Sequence, residues 1–140
     1  MRVVLDTSVI VAALRSSAGA GNAVLRLVAR GDVVPLVTTA LFLEYEEVLK
    51  RPDQRLAHGL DPVEIDRFLA ALASASEPVE VRFQWRPQLS DPADEMVLEA
   101  AVNGRADALV THNIRHFAVA TATFGLRVLR PGDLLVEMRR

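Results

Sequence analysis

SDPADEMVLEAAVNGRADALVTHN, residues 90–113, reads as a helix running into a buried strand. Ser90 or Asp91 suits the N-cap, and Pro92 suits the first helical position. Asp94, three residues after Asp91, stands close to a capping box with Asp in the Glu position. Leu98, Ala101 and Val102 form an apolar stripe, with Val97 beside it. Asp91 and Asp94 lie seven and four residues before Leu98, in line with that inward stripe, and Glu95 lies on the neighbouring row. Three carboxylates therefore cap the face turned toward the protein. Gly104 ends the helix, and Ala108, Leu109 and Val110 form a short apolar strand leading into polar Thr111, His112 and Asn113. The bland reading is that acids in a first helical turn simply complement the helix dipole.

The rest of the chain repeats the pattern. Residues 2–5 form a β-branched run ending at Asp6, as a buried parallel strand with an acid at its C-terminal end does. Thr7 and Ser8 are available to cap the following helix, and helix capping is also the simple reading of Asp6. Residues 22–29 form a further helix closed by Gly31. Residues 33–37 form a second strand, and Thr38 or Thr39 caps a helix that runs to Lys50 and stops before Pro52. Glu44 falls inside that helix's inward stripe of Leu41, Tyr45, Val48 and Leu49. An inward glutamate needs an arginine, a hydrogen-bond network or a metal.

Residues 51–60 look like a loop, with His58 on its surface. Asp61 and Pro62 open a helix with Ile65, Phe68, Leu69 and Leu72 inward. Val79, Val81 and Phe83 alternate with charged residues, as in a half-exposed strand. Trp85 and Arg86, just before the acidic helix, have the chemistry to stack a base and hold a phosphate. Residues 114–117 make an irregular turn, residues 127–129 a last strand, and residues 134–138 a last helix. His112 and His116 are four apart but lack the glutamate of an HExxH site and lie in a loop.

Composition narrows the classes. At 140 residues and 51% hydrophobic, with mean hydropathy +0.22, the chain is one domain (residues 1–140) with a real core. No apolar run approaches the ~20 residues of a membrane span, and Asp6 interrupts the N-terminal run that a signal peptide would need. The absence of cysteine excludes disulfides and zinc–thiolate sites and points to a reducing, cytoplasmic setting. With a net charge of −2, nucleic-acid contact must be local, through arginines; Lys50 is the sole lysine beside 15 arginines.

Strands alternating with helices imply a three-layer α/β/α sandwich around a mainly parallel sheet, whose ligands bind beyond the C-terminal strand ends. Asp6, Glu44, the residue 91–95 acids and the Thr111–Asn113 polar group are all expected near that edge. Oxygen-only ligands crowded together suit Mg²⁺ or Mn²⁺, and such an ion supports phosphodiester hydrolysis.

VVLDTSVIVAAL, the Glu44 helix followed by VLKRP, DPADEMVLEAAV and ALVTHNIRHF, in that order, resemble the PIN-domain family, and within it the VapC-like toxin ribonucleases. The resemblance implies a five-stranded parallel sheet, Mg²⁺- or Mn²⁺-dependent RNA cleavage, a cognate antitoxin protein and a homodimer. It matches Asp6 to the first acid, Glu44 to the second, and Glu95 to the third, with Asp94 adjacent and Asp91 nearby. Whether Asp94 or Glu95 is the main ligand stays open. Asn113 stands where many relatives carry Asp, and would assist a metal through its carbonyl or a bound water, and His116 stands where some carry another acid, which predicts weaker metal binding. Thr7 or Ser8, together with Thr111, is expected to position a water or a phosphate, and Arg86 or Arg115 to steady the RNA backbone. Two rivals remain: a non-catalytic PIN-like scaffold, and a haloacid-dehalogenase-type phosphatase. The latter lacks an acid at Ser8 and has only Lys50 as its lysine.

Overall fold

A computed structural model describes residues 1–84 and 88–139. Among the described residues the sequence builds five strands, β1 (Arg2–Leu5), β2 (Val34–Val37), β3 (Glu77–Pro78), β4 (Ala108–Val110) and β5 (Val128–Leu129), in the sheet order β3-β2-β1-β4-β5. Every neighbouring pair is parallel. Among the described residues eight helices accompany them: α1 (Thr7–Arg15), α2 (Ala20–Ala29), α3 (Thr39–Leu49), α4 (Pro52–His58), α5 (Pro62–Ala75), α6 (Pro92–Asn103), α7 (Ala118–Phe124) and α8 (Pro131–Met138). The result is the expected α/β sandwich, with an all-parallel sheet.

β1 and β4 are the centre of the sheet. Val3, Val4 and Leu5 pair in register with Ala108, Leu109 and Val110. All six are buried. Covered on both faces, these strands cannot alternate apolar with polar residues, which explains their continuous apolar runs. Their shared register brings the residues that follow, Asp6 and Thr111, to the same edge, and the Asp6 N–H donates to the Val110 carbonyl at 2.9 Å.

α6 packs on β1, β2 and β4 and against α3. Gly104, just past its end, sits where a Cβ would come within 2.8 Å of the Ala100 carbonyl and 3.0 Å of Leu36 and Val79. Only glycine lets the chain turn down into β4 at that distance from the sheet. α3 begins as expected, with the Thr38 hydroxyl accepting from the Leu41 N–H at 3.1 Å. α5 opens on a reciprocal Asp61–Glu64 capping box.

Three local readings are corrected. Residues 52–58 form helix α4 where the sequence looked like a loop. Pro52 fits its first turn, and Gly59, at φ 72°, ends it. It buries no residue, so no apolar stripe announces it. His58 is no bare surface residue: Nε2 lies 2.9 Å from the Leu49 carbonyl, and Nδ1 accepts from the Leu60 N–H at 3.0 Å. The alternating segment after Pro78 is not a strand. Its Arg82 and Phe83 N–H groups donate to the Asn103 side chain, each at 2.9 Å. α7 is an Ala/Thr-rich helix that buries only Ala120 and stops at Gly125, φ 66°, so its sequence carries no stripe either.

No single helix among the described residues is long and apolar enough to cross a membrane. α1 and α2 reach that length and composition only as a pair bent by 100°. Trp85 and Arg86, read from sequence as base- and phosphate-binding, lie outside the described residues.

Candidate active site

Asp6 occupies the N-cap position of α1, yet its side chain makes no capping bond. Its Oδ2 instead accepts two hydroxyl hydrogens, from Ser8 Oγ at 2.8 Å and from Thr111 Oγ1 at 2.6 Å. Oδ1 carries no hydrogen bond among the described residues. The carboxylate is 5% exposed and is thus held in one orientation with one oxygen to spare. The two hydroxyls also reach the loop after β4. The His112 N–H donates to Ser8 Oγ at 3.3 Å, and the Asn113 N–H donates to Thr111 Oγ1 at 2.9 Å. Ser8 and Thr111 were expected to face water or a phosphate. Here they face Asp6, because a buried carboxylate needs donors more than an open site needs them. Thr7 is half-buried in the first turn of α1.

Asp91 is the N-cap of α6, its Oδ1 accepting from the Ala93 N–H at 2.9 Å. Asp94 does not complete a capping box. Its carboxylate turns instead to His116, with Oδ2 3.2 Å from Nδ1. Burial pushes the Asp94 carboxyl above the ordinary aspartate range, and the charges of Asp6 and then Asp91 push it further; His116 partly offsets this. Glu44, half-buried on α3, is raised in the same way, first by burial, then by Glu47, with a smaller contribution from Asp91 and some relief from Arg51. Asp94 thus feels the charges of Asp6 and Asp91, and Glu44 feels that of Asp91.

Glu95 goes elsewhere. It is buried, and its Oε1 accepts from the Gln88 N–H at 2.6 Å and the Leu89 N–H at 2.9 Å. It anchors the segment that enters α6. Asn113 is exposed and begins the 3₁₀ turn Ile114–Phe117 without a side-chain capping bond. Arg115 and His116, on that turn, line an open cavity of about 400 Å³ together with Asp91 and Asp94.

Among the described residues no three His, Asp or Glu side chains stand close enough together to hold a metal ion. The chemistry of the donors nevertheless fits a hard divalent cation. Asp6 and Asp94 are buried carboxylates, the charge of Asp6 adds to the cost of ionising Asp94, and among the described residues neither is ion-paired with an arginine or lysine. The sole lysine is committed elsewhere, to Asp66 at 2.7 Å and Glu46 at 3.3 Å.

Sequence reasoning missed Tyr45 as a site residue and read it only as core. It is fully buried, and its hydroxyl donates to the carbonyl of Leu5, next to Asp6. A lone tyrosine beside an inward glutamate was the available signal.

A family model described as PIN domain matches residues 2–115. No match was found among curated proteins or among solved structures.

Proposed function

The chain belongs to the PIN-domain family, and on that premise we propose that it is a Mg²⁺- or Mn²⁺-dependent endoribonuclease acting as the toxin of a toxin–antitoxin pair. Family membership carries nuclease chemistry in general. The observation that supports a working site here is Asp6, buried, fixed by two hydroxyls, and coupled to Asp94. Asp6 through Oδ1, Asp94 and Glu44 would hold the cation, with Asp91 and Asn113 at the rim. When bound, such a cation neutralises phosphate charge and acidifies a coordinated water. The protein's own contribution is orientation. Ser8 and Thr111 keep Asp6 from rotating, α6 presents Asp94 from its first turn, and Arg115 at the cavity rim meets the RNA backbone. Arg86 is proposed for the same task. Glu95 serves in this reading by shaping the approach to α6.

RNA is the substrate in this reading, a cognate antitoxin and a second copy of the chain are the protein partners, and the setting is the cytoplasm. A non-catalytic PIN scaffold is the second reading, favoured by Asn113 and His116 standing where acids are expected. The phosphatase reading finds no support, because the second residue after Asp6 is Ser8, a donor to Asp6. Incubating the protein with a labelled RNA panel, with Mn²⁺ or with EDTA, separates the first two. Cleavage that needs Mn²⁺ and disappears in Asp6→Asn and Glu44→Ala supports the nuclease. Cleavage unaffected by both substitutions, or none with any RNA, removes it.

A further inference from the structure

The first turn of α6 and the turn after β4 are joined by one side-chain contact, Asp94 Oδ2 to His116 Nδ1 at 3.2 Å. The partners are unequal. The Asp94 side chain is 12% exposed, whereas the His116 side chain is 56% exposed and borders the same cavity. The aspartate is fixed by its helix, and the imidazole is free to leave.

We propose that His116 is the group an incoming divalent cation must displace, so that it acts as a placeholder on Asp94 that sets the metal affinity of the site. The inference rests on the metal-dependent reading above and deepens it. Its geometry is specific. The ring nitrogen facing Asp94 stands 3.2 Å from a carboxylate oxygen, in ion-pairing contact, and a protonated ring presents an N–H to it. A histidine serving as a ligand would turn a lone pair toward the ion instead. The oxygen that His116 meets belongs to one of the carboxylates that the reading above gives to the cation. Among the described residues the acids do not close around a common point, and Asp94 is turned to His116. A cation held by Asp94 would take the place of the His116 contact and leave the ring to turn toward the cavity.

The test is Mn²⁺ titration of the whole chain by calorimetry, at one pH and one ionic strength. The proteins compared are wild type, Asp6→Asn, His116→Ala and His116→Gln. His116→Ala is expected to bind Mn²⁺ roughly three- to tenfold more tightly, the scale of a partly exposed ion pair with a hydrogen bond. His116→Gln, which keeps an N–H donor on a chain of similar reach, is expected to stay within about twofold of wild type. An unchanged affinity in His116→Ala overturns the proposal, and a weaker one shows His116 to be a ligand. Failure of the underlying reading looks different. If wild type takes up no Mn²⁺, or Asp6→Asn takes it up equally well, the metal site itself is refuted and the placeholder with it.

Discussion

The Tyr45 hydroxyl donates to the main-chain carbonyl of Leu5, joining α3 to the C-terminal end of β1 across forty positions of chain. The residues beside these two are Glu44 and Asp6. One buried hydrogen bond therefore fixes the spacing between the supports of two acids. Burial, and then the charge of Asp6, push the Tyr45 phenol far up, so it remains a donor at any working pH.

Tyr45→Phe keeps the ring and removes the bond. The Leu5 carbonyl loses a donor it cannot replace from water, which costs about 1–3 kcal/mol. In urea unfolding the midpoint should fall with no change in slope. A midpoint equal to wild type would show that the hydroxyl contributes nothing.

Removing the donors on Asp6 should act on chemistry more than on stability. Thr111 is fully buried, makes the shorter bond, and also accepts from Asn113. Thr111→Val should lower kcat/KM on RNA by roughly 10–100-fold, the usual cost of losing an outer-shell partner of a ligand. Ser8→Ala should cost less, because Thr111 alone still holds Oδ2. Steady-state kinetics of the two variants provide the comparison, and equal losses would refute the ranking.

The sheet was readable because β1, β2 and β4 are buried on both faces and therefore written as unbroken apolar runs. α6 was readable because Asp91, Pro92 and Gly104 mark both of its ends. α4 and α7 were not, since neither presents an apolar stripe; their stop signals, Gly59 and Gly125, stand alone. At the site, period and spacing place Asp6, Glu44 and Asp94 at one edge, but they carry no information on rotamers. Whether Ser8 faces solvent or Asp6, and which of the buried Asp94 and Glu95 is tied to main-chain N–H groups, depends on χ angles that only the packed structure fixes.

The raised carboxyls of Asp94 and Glu44 fix the sign of a pH effect. A carboxyl whose folded value lies above its unfolded one holds its proton longer when folded. Its contribution is complete below the ordinary carboxylate range and is lost as pH rises through the folded value. Without metal, the stability contributed by these two carboxyls should therefore decline as pH climbs above about 4. Asp94→Asn cannot ionise, so in EDTA it should melt at a higher temperature than wild type at neutral pH, with a shallower pH dependence. Thermal unfolding from acid to neutral pH checks this, and a lower melting point for Asp94→Asn at neutral pH would contradict it. Saturating Mn²⁺ should raise the wild-type melting point, by about 2.7 kcal/mol of stability at a hundredfold excess over Kd, and leave that of Asp94→Asn nearly unmoved.

Glu95 and Asp94 are adjacent in sequence and face different tasks, and this gives the sharpest separation of scaffold from site. Glu95 accepts two main-chain hydrogens, from Gln88 and Leu89, through one oxygen. Glu95→Gln keeps an acceptor oxygen at that reach, so stability and Mn²⁺ affinity should both stay close to wild type. Glu95→Ala leaves two N–H groups without their acceptor, at a cost of about 1–3 kcal/mol. The segment before α6 should then be cut faster by protease, because its opening becomes cheaper. Asp94→Ala should show the opposite profile, with proteolysis there unchanged and Mn²⁺ binding lost. If Glu95→Gln loses Mn²⁺ while Asp94→Asn keeps it, the two residues exchange roles, and the cation must sit on the side of α6 that faces Gln88.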